Sequence, residues 1–112
     1  MSYSIIFSKR FLRQVRRLNR KYRSFADDLQ TLGDSLLLNP LQGAALGRNC
    51  YKVRMAIASK GKGKSGGARV ITLVRVEAGR LILLTVYDKA DRPDLAPGEL
   101  DALLMEAGLG GE

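Results

Sequence analysis

Apolar and polar positions change their rhythm along the chain, and each rhythm predicts an element. Tyr3 to Phe7 is a short apolar run of strand length. Ser8 follows, a residue type that caps helix N-termini through its side-chain oxygen. Behind it Phe11, Val15, Leu18 and Tyr22 recur at helical spacing, with Arg10, Arg13, Arg17 and Arg20 off that stripe. Ser24 and Asp27 read as a loose capping box for a second helix. Its stripe is Phe25, Leu29, Leu32 and Leu36, and Asn39-Pro40 stops it.

Beyond Pro40 the period shortens to two. Leu41 to Asn49 reads as a Gly-containing connection, after which Tyr51, Val53 and Met55 alternate with Lys52 and Arg54, as in a half-buried strand. Ala68 to Val76 and Arg80 to Tyr87 are aliphatic strands joined by Glu77-Ala78-Gly79, a short hairpin signal. Leu100, Leu103 and Leu104 predict a final short helix, and residues 108–112 a frayed end. The predicted order is β-α-α-β-β-β-α, an α+β fold in one domain over residues 1–112. Two N-terminal helices cover one face of a small, mostly antiparallel sheet and leave the other face available.

Charge changes this picture from a fold to a working surface. The net charge is +8, a field that favours nucleic acid or an anionic membrane. It is also segregated. From Lys9 to Arg23 there are eight basic residues and no acidic one, and from Arg48 to Arg80 nine against Glu77 alone. From Asp88 onward seven acidic residues face Lys89 and Arg92. The expectation is one basic face and an acidic tail. Cys50 is the sole cysteine, so no intrachain disulfide forms and a reducing compartment is expected. The first residues lack the basic and long apolar regions of a signal peptide, and no apolar run approaches the ~20 residues that span a bilayer. A cytoplasmic protein with no membrane partner is expected.

The residue inventory narrows the chemistry. With no histidine and one cysteine, an ordinary zinc site and His-assisted nucleophiles are excluded, and neither a metal nor a cofactor is expected. Gly63-Lys64-Ser65 ends like a P-loop, but Ala58 stands where its first glycine belongs and the segment feeds a strand rather than a helix. One reaction that Lys, Arg and Tyr can promote without histidine or metal is cleavage of RNA by its own 2′-hydroxyl. That reaction needs a proton acceptor, positive charge on the crowded phosphate, and help for the leaving oxygen. Lys52 and Arg54 on one strand, Arg69 at the mouth of the next, and Tyr87 and Lys89 at the end of the last would converge if these strands are neighbours. Lys60, Lys62 and Lys64 alternate with glycines between them and suit an RNA-gripping loop.

At these residues the chain resembles the RelE/HigB-type toxins of bacterial toxin–antitoxin systems. The likeness runs from Phe7-Ser8-Lys9-Arg10-Phe11 through Tyr51-Lys52-Val53-Arg54 and Gly63-Lys64-Ser65-Gly66-Gly67-Ala68-Arg69-Val70-Ile71 to Leu83-Leu84-Thr85-Val86-Tyr87-Asp88-Lys89. The Gly-Gly-Ala-Arg-Val-Ile stretch and the lengthened loop resemble the HigB-like branch. The resemblance implies a RelE-like fold, cleavage of messenger RNA on the ribosome, and a cognate antitoxin that holds the toxin in an inactive heteromeric complex. It also implies that Lys52 and Arg54 are the family's basic strand positions and Arg69 its phosphate-stabilising arginine. Tyr87 and Lys89 correspond to the end of its active region, with Arg92 an alternative to Lys89 as general acid. Two rival readings stay open: a ParE-like inhibitor of DNA gyrase, and a non-catalytic RNA- or DNA-binding module.

Overall fold

The computed structural model describes residues 2–108. Strand β1 (Ser4–Phe7) leads into helix α1 (Lys9–Lys21), which begins where expected: the Ser8 hydroxyl accepts the Phe11 N–H at 3.1 Å. That bond satisfies one of the donors a helix N-terminus leaves open. Arg20 and Lys21 sit in the last turn, where cations complement the helix dipole. Helix α2 (Phe25–Leu38) starts differently from the expected capping box. Ser24 makes no side-chain cap; its hydroxyl instead donates to Asp28 (2.7 Å) and accepts the Ser59 N–H (2.9 Å). The cap has been diverted to hold a distant turn.

The connection after Pro40 contains an unexpected strand, β2 (Ala44–Gly47). Its small residues and glycine carry little strand signal, and pairing with the next strand supplies what propensity lacks. The remaining strands are β3 (Cys50–Met55), β4 (Ala68–Arg75) and β5 (Arg80–Asp88), followed by helix α3 (Glu99–Glu106). The sheet order is β1-β5-β4-β3-β2, antiparallel except where β1 runs parallel to β5. A bulge between Ile71 and Thr72 skips Leu84 in the register. Gln14 of α1 accepts the Val86 N–H there (2.9 Å) and bonds the Thr85 hydroxyl, tying the helix to the irregularity.

The alternation of β3 and β4 sorts two cores. Phe11, Leu18, Phe25 and Leu36 of the first two helices pack on Val53, Met55, Val70, Val74, Leu81 and Val86. On the opposite face Cys50, Ile71, Leu73 and Leu84 pack under Leu104 of α3. The second face is therefore not left open, as two covering helices alone would have it. This second cover explains why β4 is buried along nearly its whole length. Burial also pushes the Cys50 thiol up to about 11, leaving it a packing residue. No helix among the described residues is long and apolar enough to cross a membrane.

The long β3–β4 connection returns to the sheet through Gly67. A Cβ at that position would lie 2.1 Å from the Met55 carbonyl oxygen and 3.0 Å from Ala56 Cα, both backbone atoms that cannot step aside. Gly67→Ala should lower unfolding free energy by ~2–3 kcal/mol, the cost of overpacking against fixed structure. Urea denaturation checks this; an unchanged midpoint would mean that the two strand ends can part freely.

Candidate active site

Three strands bring the predicted residues into one row. Arg54 of β3 lies opposite Arg69 of β4, and Arg69 lies opposite Tyr87 of β5. Directly opposed residues share a sheet face at ~5 Å spacing, so Arg54, Arg69 and Tyr87 are consecutive on the face that carries α3. Lys52 is two residues from Arg54 on the same strand and hence the same face. Lys89 lies one residue past the end of β5. Its backbone N–H donates to Gly67 O at 3.1 Å while its side chain is exposed, and nothing brings that ammonium to the row.

The row differs in exposure from end to end. Arg54 is exposed, with no ion pair or hydrogen bond of its side chain among the described residues. Arg69 is only 4% exposed, and its guanidinium donates to the carbonyls of Lys64 (3.1 Å), Ala68 (3.1 Å) and Ser65 (3.2 Å). Three of the five N–H donors of a guanidinium are thus spent on carbonyls and none on a carboxylate. Among the described residues no carboxylate pairs with it. Tyr87 is also 4% exposed, and its buried hydroxyl has no direct hydrogen-bond partner among the described residues. Burial first, then the nearby Asp94 carboxylate, pushes its pKa up.

Residues beyond β5 close over the row. The Arg92 guanidinium lies 4.5 Å from the centre of the Tyr87 ring, a cation–π distance, and is held by both oxygens of Glu99 at 2.6 Å. Lys52 Nζ meets both oxygens of Asp94 at 3.2 Å. Asp94 lies below the ordinary carboxylate range, chiefly through the Leu95 N–H and then through Lys52. The acidic tail foreseen in the sequence is therefore seated on the basic face.

The loop lysines separate by role. Lys62 and Lys64 are exposed. Lys60 is nearly buried at the end of a short 3₁₀ turn (Ala58–Lys60), and its ammonium sits 2.7 Å from Asp88 Oδ1. Asp88 also accepts from the Tyr22 hydroxyl and, at 3.0 Å, from the Ala90 N–H. Burial alone would raise this carboxyl, but the hydrogen bonds from Lys60, Tyr22 and Ala90 hold it down at about 2. The turn is fixed from the other side by the Ser59 bond to Ser24 and by the Ala58 N–H donating to Asp28 at 3.1 Å. Sequence reasoning passed over Asp88 and Tyr22. The available signal was a lone aspartate closing an otherwise apolar strand, where a charge needs a partner.

Among the described residues no group of three or more His, Cys, Asp or Glu is arranged to hold a metal ion. The chemistry on offer is cationic and aromatic: two arginines and a lysine on one face of neighbouring strands, with a tyrosine in the same row.

Against known proteins, the family model for the RelE toxin of the RelE/RelB toxin–antitoxin system matches residues 6–109. The chain belongs to that family. Among solved structures it is similar to E. coli toxin RelE in the free state, in a form with two arginines replaced by alanine, with 21% identity, 96% of each chain covered and a TM-score of 0.60. It is likewise similar to a chain of the intact E. coli RelBE toxin–antitoxin complex, at 21% identity over 77% of this chain and 95% of that one, again with a TM-score of 0.60. At this identity both likenesses bear on the fold.

Breaking the Lys60–Asp88 pair should be costly, because Asp88 would keep its charge with one partner fewer. Lys60→Met should lose about 3 kcal/mol at neutral pH, near the low end for opening a buried pair. A carboxyl held below its ordinary value stabilises the fold above that value and loses the contribution as pH falls. The gap between wild type and variant should therefore narrow as pH drops from 3.8 toward about 2. Chemical denaturation across that range checks it; a gap independent of pH would mean that Lys60 acts by packing alone.

Proposed function

We propose that this chain is the toxin of a type II toxin–antitoxin system, acting in the cytoplasm as a ribosome-dependent mRNA endoribonuclease, and that Arg54, Arg69, Tyr87 and Lys52 form its site. The observation that carries the reading is the row itself, with Arg54, Arg69 and Tyr87 in register on three neighbouring strands and Lys52 beside it. The lengthened Lys/Gly loop between Lys60 and Arg69 supports placement on the HigB-like branch.

In the reaction the RNA 2′-oxygen bonds to the adjacent phosphorus as the bond to the 5′-oxygen breaks, leaving a 2′,3′-cyclic phosphate and a 5′-hydroxyl. No outside reactant is needed. Charge builds on the phosphate oxygens in the transition state, and fixed guanidiniums stabilise it without reorganisation. Arg69, immobilised by three carbonyl bonds and free of any carboxylate, is suited to this; Arg54 reaches the same phosphate from the exposed side. Lys52, once released by Asp94, is the proton-transfer group of the row. The Tyr87 ring stacks on a base. Lys62 and Lys64 grip the RNA backbone, whereas Lys60 anchors the loop on which they stand.

RNA entry requires the closing segment to yield. Asp94 and Glu99 hold Lys52 and Arg92 as a phosphate would, and these partly exposed pairs lie where a polyanion can compete for the cations. A cognate antitoxin, the partner in this reading, blocks the exchange by occupying the basic face with acidic groups of its own.

Arg54 is the cleanest residue to test, being exposed and unpartnered. Arg54→Ala should slow mRNA cleavage on translating ribosomes by about 10²-fold, as loss of a transition-state donor does, and should shift unfolding free energy by less than about 0.5 kcal/mol. Primer extension on ribosome-bound mRNA, beside urea denaturation, measures both. Undiminished cleavage by the folded variant removes Arg54 from the site.

A further inference from the structure

Strand β3 outruns its outer neighbour. The β2–β3 register sets Ala44 opposite Lys52, and continued by two residues it would set Gln42 opposite Arg54. The chain does not follow it there: β2 begins at Ala44, after Gly43 turns with φ of 102°. A Cβ on Gly43 would stand 2.5 Å from Lys52 O, so that carbonyl points toward β2, while Met55 O points toward Gly67 and β4. By the two-residue alternation of a strand, the Arg54 N–H and C=O point as Lys52 O does, to the side where β2 has not begun. Neither group has a loop partner among the described residues. One member of the row thus presents an open backbone donor and acceptor at the sheet edge.

A small pocket of about 130 Å³ lies at this edge. It touches Met55, which packs beneath the helices, and also Arg54 of the opposite face, so it opens between the two layers. Leu32 and Met55 give it an apolar wall, Asp28, Ser35 and Gln42 a polar one, and the exposed cations Arg54 and Lys64 complete it. The polar wall is set to accept hydrogen bonds. Gln42 Nε2 donates to Ser35 Oγ (2.9 Å) and Asn39 O (3.2 Å), which leaves Gln42 Oε1 without a partner among the described residues. Asp28 uses Oδ2 for the Ser24 hydroxyl and the Ala58 N–H, and its Oδ1 is likewise unengaged among the described residues. Lys64 links the pocket to the row, since its carbonyl accepts from the Arg69 guanidinium at 3.1 Å.

We propose that this pocket takes one unstacked nucleobase of the message, the base beside the phosphate held by Arg54 and Arg69, and that it favours bases with an exocyclic amino group. The proposal rests on the reading of this chain as an mRNA endoribonuclease. The space admits a single planar ring system and falls well short of the ~300 Å³ where drug-sized pockets begin. Proteins that read single-stranded RNA splay a base out of the stack and hydrogen-bond it along its edge. Adenine, cytosine and guanine each carry an amino group with two N–H donors, where uracil has carbonyls beside a lone ring N–H. Three acceptors, Asp28 Oδ1, Gln42 Oε1 and Arg54 O, suit that amino group, and a uracil carbonyl leaves them unsatisfied. Arg54 and Lys64 take the sugar–phosphate outside the pocket. A free phosphate or an acidic peptide fits poorly, because its charge would enter against the Asp28 carboxylate, whereas a nucleobase enters neutral.

Titration of the purified chain with 5′-AMP, CMP, GMP and UMP, followed by amide NMR, tests the pocket apart from any cleavage. The Ser35, Gln42 and Arg54 amides should shift, and the three amino-bearing nucleotides should bind at least ~5-fold tighter than UMP, the worth of one hydrogen bond. Ser35→Leu, at an exposed helix position, should keep the thermal melt and abolish these shifts. No shift at Ser35 and Gln42 with any of the four, or shifts that survive Ser35→Leu, overturns the pocket. UMP bound as tightly as the rest overturns the amino preference. Primer extension on translated mRNA then assigns the base. Ser35→Leu should reduce at least ~5-fold the wild-type discrimination against uracil beside the cut. A cleavage profile unchanged by Ser35→Leu overturns the proposal and leaves the endoribonuclease reading standing. Equal loss of cutting at every site makes the occupant a ribosomal RNA base and overturns the assignment to the message. A wild-type chain that binds the nucleotides but makes no cut on ribosomes overturns both that assignment and the endoribonuclease reading.

Discussion

The carboxylate of Asp88 is the constraint on which the arrangement of this molecule turns. A charge with no solvent contact must be compensated where it lies, and the compensation comes from three parts of the chain at once. Tyr22 follows the end of α1, Lys60 ends the 3₁₀ turn, and the Ala90 N–H belongs to the turn after β5. Each donor must come to the carboxylate, and each brings its own segment. The long β3–β4 connection is thereby held at its start by Lys60, at its return by the Lys89 N–H on Gly67 O, and between them by Arg69 on the carbonyls of Lys64 and Ser65. A glycine-rich segment that would cost much entropy to order is fixed by a few charge-assisted bonds.

The same economy separates what stabilises the fold from what can be exchanged during function. Beneath α1 and α2 the sheet is closed by tightly packed side chains, and Asp88 marks the rim of that region. Over the other face the C-terminal acidic residues each meet a cation: Asp94 on Lys52, Glu99 on Arg92, Asp101 on Arg48 and Glu106 on Arg10. The Arg48 and Arg10 pairs are exposed and therefore weak, and the Lys52 and Arg92 pairs are partly exposed. A polyphosphate can compete for the cations without disturbing the core. The basic face of a chain with net charge +8 is thus kept compact in the absence of RNA by carboxylates of its own.

Much of this was legible in the residue pattern, and the exceptions have physical reasons. The helical stripes of Phe11–Tyr22 and Phe25–Leu36, the alternation of Tyr51–Met55 and the aliphatic strands all fold as their periodicity predicts. Strand β2 was hidden because Ala44-Ala45-Leu46-Gly47 has almost no strand propensity and is held by its neighbour. Ser24 carries the right residue type for a cap, but a better use for its hydroxyl lies 35 residues away at Ser59, which no local pattern can disclose. The row of Arg54, Arg69 and Tyr87 depended on strand adjacency and register, so the residues could be named from sequence while their alignment could not. Lys60 shows the opposite limit. Among three alternating lysines nothing local distinguishes the one that reaches back to a buried aspartate.

The role proposed for this cationic row is the cutting of messenger RNA on the ribosome. Mapping the 5′ ends of one mRNA incubated with the purified chain, with and without translating ribosomes, tests it most directly. New ends should appear at codon-related positions when ribosomes are present and none on the naked transcript. Equal cutting of naked RNA, or no new ends on translated message, would contradict it.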